Sequence, residues 1–369
     1  MIIWADGLVT GVRRQWSGAV ELTVDRRDGE PVRALAYTTL MAPPEVGDRV
    51  LLNVAALDRG LGTGGYALVI AALDPAGELR GQPPQPAGHL VKARYLPQQA
   101  MVGGADEQGS PHHELLRDAD DLSGLPVVVA DLHSALAPSL LAIDHDRPGT
   151  RVVYVMSDQG ALPLAFSRSV AQLREAGLLA GTVTAGQAFG GDLEAVTVHS
   201  ALLAARLALD AEVVVLSQGP GNLGTGTRWG FSGVGVGEAV NAAATLGGRP
   251  VGSLRISSAD PRPRHRGLSH HSITAYGRVA LLPADLAVPD LAGVEGLSAL
   301  AAEVDTAVAL LTRHRAVRVG LAGLEEALRA SPVPLSTMGR DLDGDPAYFL
   351  AAAAGGRHSA ALLSTPAPA

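Results

Sequence analysis

The residues of this chain equipped for chemistry are histidine, aspartate, arginine and clustered glycine, and they collect in five stretches. These are DLHS (131–134), SDQGALP (157–163), TAGQAFGGD (184–192), SQGPGNLGTGTRWGFSG (217–233) and SSADPRPRHRGLSHHS (257–272). His133, Asp158, His270 and His271 are the candidate acids and bases. His265 and His199 complete the candidate histidines among the chain's eleven, with His199 expected to pack within a helix. Two glycine-rich stretches can offer backbone amides to an anion: Gly186, Gln187, Gly190, Gly191 and Asp192 in one, and Gln218, Gly219, Gly221, Asn222, Gly224 and Gly226 in the other. Asp192 also reads as the N-cap of a helix that follows it. Arg255, Arg264 and Arg266 carry planar forks suited to phosphate or carboxylate. Residues 249–278 hold six arginines against one acid, Asp260, a local excess of positive charge.

The same stretches exclude several familiar sites. GPGNLG (219–224) matches Gly-x-Gly-x-x-Gly, but Pro220 removes a donor and about nine residues intervene before any helix, so a dinucleotide fingerprint is not expected. Ser232 lacks the Gly-x-Ser-x-Gly spacing of a nucleophile elbow. No His-Glu-x-x-His spacing occurs, and adjacent His270 and His271 on a strand would not both face one metal; a metal held by His and Asp stays open, and no cofactor is specified.

Composition narrows the chemistry further. The chain has 369 residues and no cysteine, which removes thiol nucleophiles, thiolate metal sites and disulfides. Of its 29 basic residues only Lys92 is lysine. Lys92 lies in LVKARY, outside any Walker-type loop, and Schiff-base chemistry would have to use it or the N-terminus. A net charge of −8 argues against general nucleic-acid binding. The opening MIIWADG has no basic region followed by an apolar stretch, so no signal peptide is expected; the best apolar stretch, ALLAARLALDAEVVVL, carries Arg206, Asp210 and Glu212, so no membrane span is expected and a cytoplasmic location is left by elimination.

The elements that must position these residues fall into two kinds. Residues 1–80 read as short strands, including the hairpin AVELTVD–RDGE–PVRALAYT, and predict a small β-barrel of OB or SH3-like type. Within them GLGTGGY (60–66) reads as a tight loop needing positive φ or as a ligand-contacting loop. Residues 81–125 read as a Pro- and Gly-rich connector with a strand at LVKARYL and a short helix near Glu114–Ala119. Residues 126–365 alternate strand and helix. Strands are expected at Val127–Ala130, Arg151–Met156, Gly181–Thr184, Glu212–Leu216, Pro250–Ile256, a pair near Arg278–Val288, and Val317–Val319; helices are expected at Ala135–Ile143, Leu164–Ala176, Leu193–Leu209, Val236–Leu246, Val294–Arg313, Leu321–Ala330 and Pro346–Ala354. Continuous runs such as VVVA and EVVVL suit strands covered on both faces. The fold class is therefore α/β: a Rossmann-like, mostly parallel sheet domain preceded by a small β-barrel. All five polar stretches leave strands, and ligands of open α/β sheets bind at that carboxyl edge.

Taken together, GLGTGGYALVIA, GQAFGGDLEAVTVHS, QGPGNLGTGTRWGFSG and RISSADPRPRHRGLSHHS resemble a bacterial family, domain-of-unknown-function family 3866, over nearly the whole chain. The resemblance implies the same two-part build and supplies no activity or catalytic residue. The leading expectation is a protein that binds a small anionic or phosphorylated ligand at the strand-exit loops, as a hydrolase or transferase. The competing expectation is a non-catalytic protein that uses the same loops for oligomerisation, as a homo-oligomer, or for partner docking.

Overall fold

The computed structural model describes residues 2–81 and 88–364. Part of the expected connector and most of the STPAPA tail lie outside the described residues. Strands β1 (Trp4–Trp16), β2 (Ala19–Arg26), β3 (Val32–Tyr37), β4 (Arg49–Asn53) and β5 (Ala67–Leu73) close a barrel in the order β1-β2-β3-β5-β4, with β4 returning to β1. Alternation places Val20, Leu22 and Val24 of β2 inside, against Val9, Val50, Leu52 and Val69. The GLGTGGY loop does need positive φ, at Gly60, Gly64 and Gly65.

A small hairpin follows, β6 (Leu90–Lys92) with β7 (Ala100–Val102), then one helical turn, α1 (His113–Leu116). The strand expected over LVKARYL stops at Lys92 because Ala93 and Tyr95 adopt positive φ.

The second part is an eight-stranded sheet. It contains β8 (Pro126–Ala130), β9 (Val152–Ser157), β10 (Gly181–Ala185), β11 (Leu193–Ala195), β12 (Val213–Gln218) and β13 (Arg249–Ser253). Beyond β13, a two-residue antiparallel pair, β14 (Ile256–Ser257) and β15 (Gly267–Leu268), brackets the arginine-rich loop. β16 (Asp285–Pro289) and β17 (Arg315–Val319) complete the sheet in the order β11-β10-β9-β12-β8-β13-β16-β17, every pairing parallel. Helices α2 (Leu136–Asp146), α3 (Arg168–Glu175), α4 (Val198–Leu207), α5 (Gly235–Thr245), α6 (His270–Thr274), α7 (Ser298–Val308), α8 (Leu324–Arg329) and α9 (Pro346–Leu362) make up the rest.

The strand residues divide between two faces by the period of the pleat. Val128, Val152, Tyr154, Val213 and Val215 pack with α2 and α3. Val127, Val129, Val153, Val155 and Val214 pack with α4, α5 and α7. Covering on both faces is why these runs are continuously apolar. The chain moves from β8 toward β9, fills the gap with β12, and then continues on the far side of β8 with β13. Loops after β12, β8 and β13 therefore diverge at a switch point, the place where such sheets open a crevice.

Three expectations change. The helix expected over Leu193–Leu209 splits into edge strand β11 and α4, capped by Thr197 and Ser200. The strand pair expected near Arg278–Val288 is a wide helical turn (Ala275–Val279) followed by β16 alone. The helix expected to end near Ala354 runs to Leu362, because its apolar residues go all the way round and it is buried on nearly every side.

Gly355 and Gly356 of α9 let that helix approach its neighbours closely. A Cβ at Gly356 would overlap the Ser139 carbonyl of α2. Gly356→Ala is expected to lose about 1–3 kcal/mol in urea unfolding, the usual cost of overpacking; a variant as stable as the parent would show that α9 and α2 do not meet there.

Candidate functional site

Strand β8 delivers Asp131 to the centre of the carboxyl edge, where its side chain is buried. A buried carboxylate requires partners. Its Oδ2 lies 3.1 Å from Nδ1 of His271 and 3.6 Å from the Arg255 guanidinium. Burial pushes the Asp131 carboxyl up, but the His271 hydrogen bond and the Arg255 charge outweigh it and hold the group below the ordinary carboxylate range. The same guanidinium lies 3.1 Å from His271 Nδ1. An ionised carboxylate only accepts, so Nδ1 carries the proton and donates it to Asp131, the guanidinium contact at Nδ1 is then a close approach and not a hydrogen bond, and the imidazole lone pair is left on Nε2.

His271 belongs to a cluster of three imidazoles. Ring centroids of His270 and His271 are 4.5 Å apart, and those of His265 lie 4.9 and 4.8 Å from them. One ring nitrogen of each lies within 4.8 Å of the others. Phe231 stacks flat on His271 at 3.8 Å. His265 Nδ1 is 2.8 Å from the Ser269 hydroxyl, and His270 Nε2 is buried with no hydrogen-bond partner among the described residues. Burial, with Arg255 and Arg262 nearby, pushes His265 down to about 3. Burial, with His271 and Arg264, pushes His270 down to about 4. These two rings are neutral at neutral pH.

The expectation that His270 and His271 would diverge assumed a strand, where successive side chains point to opposite faces. They instead open α6, capped by the Ser269 hydroxyl, which accepts from the His271 amide. Neighbouring helical residues are rotated by about 100°, so both rings reach the same side.

The loop after β12 covers this cluster. Gly221 and Gly226 adopt positive φ, a conformation that costs glycine little. Among the described residues, the amides of Gly221, Asn222, Gly224 and Gly226 donate to no protein acceptor. A side chain at Gly226 would come within 3.5 Å of the Arg264 guanidinium. Arg264 and Arg266 are exposed and, among the described residues, pair with no carboxylate, whereas Arg255 is buried and faces Asp131 and Asp260. Gln218 anchors the start of the loop: its Nε2 donates to the Asp131 carbonyl at 2.6 Å and to Asn222 Oδ1, which also accepts from Ser232. Gly219 packs against Ala161 too closely for a side chain.

His133 stands apart from the imidazole cluster. Its Nδ1 is 3.0 Å from the Tyr154 hydroxyl and its Nε2 is 2.6 Å from the Ser167 hydroxyl that caps α3. Both ring nitrogens are therefore engaged. The ring lines a cleft of about 400 Å³ with Ser134, Gln218, Asn222 and Thr337. On the other side of Pro220 and Gly221 lies a second, largely apolar cavity of about 410 Å³, lined from the barrel by Tyr37, Thr63 and Leu68 and from the sheet part by Phe166, Phe189 and Leu223.

The remaining expected residues form a third group, whose amides are occupied internally. Gln187 N donates to Asp158, Gly190 N to Glu194, and Gly191 N to the Thr184 hydroxyl. Gly186 leaves room for the Asp158 carboxylate. Asp192 is not a helix N-cap: it accepts from the amide and hydroxyl of Thr182 and pairs with Arg174. Lys92 ties this group together, buried, with its ammonium donating to the carbonyls of Ala188 and Ala195 and lying 3.4 Å from Glu194. His199, expected to pack, is exposed at the start of α4.

The structure thus sorts the expected residues into three neighbourhoods along one edge. Sequence reasoning left Asp131 out of the set; its only signal was an acid placed immediately after the most apolar strand run. It also left out Arg340 and Asp345, five residues apart, of which Arg340 meets Asp260, 80 residues earlier, only on folding.

A closed barrel, a parallel sheet and a buried Asp–His–Arg group at the sheet's carboxyl edge define an α/β protein of the Rossmann-like class. The chain matches the family model "Protein of unknown function (DUF3866)" over residues 33–356 and belongs to that family. No curated protein and no solved structure matches it. Among the described residues no helix is long and apolar enough to cross a membrane.

Burial holds His133 down to about 4, against an ordinary value near 6.5. The unfolded chain then binds a proton between those values that the folded chain does not, so stability from this group is complete above pH 6.5 and declines as pH falls toward 4. His133→Gln, followed by urea unfolding from pH 7 to 4, is expected to flatten that acid limb. An unchanged slope would show that His133 is not buried as a neutral ring.

Proposed function

We propose that this protein binds a small anionic ligand, carrying a phosphate or carboxylate, between the Gly221–Gly226 amides and Arg264. The carrying observation is the coincidence, among the described residues, of four amides without protein acceptors and a guanidinium beside Gly226 that pairs with no carboxylate, in a chain of net charge −8. Charge-assisted hydrogen bonds to such donors contribute about 1.5–3 kcal/mol each. Arg266 adds a second exposed charge on the same loop, while Arg255 positions Asp131 and His271 behind it. Hydrolysis or group transfer is the chemistry that imidazoles beside a bound anion serve.

A thermal-shift panel of inorganic phosphate, nucleotides, sugar phosphates and polycarboxylates tests this reading. A ligand at one hundred times its dissociation constant adds about 2.7 kcal/mol to stability. One class is expected to raise the melting temperature, less so at high salt, because the contact is exposed and screened. Arg264→Ala is expected to remove the shift while leaving the ligand-free melting temperature unchanged. A flat panel, or a shift that survives Arg264→Ala together with Arg266→Ala, overturns the proposal.

A docking role for the same loop has its own support, since Leu223 and Trp229 are 70% and 56% exposed on it. Light scattering decides this reading: a parent oligomer that becomes a monomer with Trp229→Ala would favour it.

A further inference from the structure

We propose that His265, His270 and His271 form a three-histidine site for a divalent transition-metal ion of the zinc class. One nitrogen from each ring already lies within 4.8 Å of the other two. Around a tetrahedral zinc with bonds of about 2.0–2.1 Å, ligand nitrogens sit about 3.4 Å apart, so modest ring rotations complete the geometry.

The hydrogen bonds around the rings select which atoms bind. Nδ1 of His265 is engaged by Ser269, and Nδ1 of His271 by Asp131. Both rings therefore have Nε2 left over. His270 Nε2 is buried and has no partner among the described residues, a cost that a bound ion removes. The carboxylate–histidine pair of Asp131 and His271 is the second layer of contacts that metal-binding imidazoles use to fix ring orientation and raise basicity. Ser269 acts in the same way on His265 while capping α6, so one hydroxyl positions two of the three ligands.

The donor set determines the ion. Three imidazoles with no carboxylate among them suit zinc, cobalt, nickel or copper, whereas magnesium and calcium require oxygen ligands. The surroundings accommodate a dication. Arg255 and Arg262 are balanced by Asp131 and Asp260, with Arg255 3.6 Å from Asp131 and Arg262 2.8 Å from Asp260. Arg264 pairs with no carboxylate among the described residues and lies on the side of the glycine loop. An ion held by three protein ligands keeps a position for water or substrate, which is the open coordination of a hydrolytic metal centre. The metal site stands on its own residues; only the anionic nature of a substrate in that open position rests on the preceding proposal.

The test uses full-length untagged protein, stripped with a chelator and dialysed against Zn²⁺ or Co²⁺, with bound metal measured by elemental analysis. About one equivalent per chain is expected, with visible Co²⁺ absorption bands of nitrogen ligation, a raised melting temperature, and no displacement by excess Mg²⁺. His270→Ala and, separately, His265→Gln are expected to lose binding at least 100-fold, and Asp131→Asn to weaken it 10–100-fold. His199→Ala, an exposed histidine outside the cluster, should leave binding unchanged. Circular dichroism establishes that each variant is folded. Absence of stoichiometric binding by the parent protein overturns the proposal whatever the variants do, as does binding that persists in both histidine variants or that Mg²⁺ displaces. Repeating the phosphate thermal shift in chelator separates the two readings, because the anion contact at Arg264 does not require the metal.

Discussion

The buried carboxylate of Asp131 is the constraint on which the carboxyl edge depends. It leaves a strand buried on both faces and is itself only 7% exposed, so its charge must be met by protein cations. Arg255 and His271 meet it, and they belong to the two ends of the loop that runs from β13 to α6. Pairing with Asp131 therefore closes that loop over the sheet. Phe231 stacks on His271 and brings the end of the glycine loop onto the same spot. Gly233 passes close to Asp131, where a larger residue would collide. One ion pair thus sets the relative position of three strand exits.

A second polar group pins the outer part of the loop. Asp345, at the start of α9, accepts from the Ser258 amide at 3.0 Å, from the Ser257 hydroxyl, and from Arg340. Arg340 also faces Asp260, which Arg262 holds through three hydrogen bonds, one from its amide and two from its guanidinium. Hydrogen bonds from Arg262 keep Asp260 far below the ordinary carboxylate range. The arginine-rich segment is consequently fixed at both its inner and outer ends, and what it leaves projecting is Arg264 and Arg266. Two arginines of one loop thereby acquire opposite jobs: Arg255 is consumed in neutralising the interior, while Arg264 faces outward without a carboxylate.

Much of the architecture was legible in the sequence. Strands buried on both faces announce themselves as runs such as VVVA and VVVL, and the barrel hairpin follows from two β-type runs around a glycine turn. The edge strand β11 was not legible, because its three residues, LEA, carry no strand signature and pair only because β10 offers a free edge. Glycine content pointed correctly to loops of special conformation but could not separate amides that are free from amides already used. The amides of Gln187, Gly190 and Gly191 serve Asp158, Glu194 and Thr184, whereas those of Gly221, Asn222, Gly224 and Gly226 meet no protein acceptor among the described residues. The three-histidine cluster was hidden for a local reason: assigning His270 and His271 to a strand sends the rings apart, and a short helix capped by Ser269 brings them together.

The barrel is part of the site's surroundings through the glycine loop. Pro220 and Gly221 form a common wall between the polar cleft at His133 and the apolar cavity that the barrel shares with the sheet. The barrel is held there by Trp16, whose indole N–H donates to the Ala165 carbonyl at 2.7 Å, and by packing of Tyr37, Leu35 and Tyr66 around Ala165 and Phe166. Gly18, at the β1–β2 turn, lies so near Ala165 that only glycine fits.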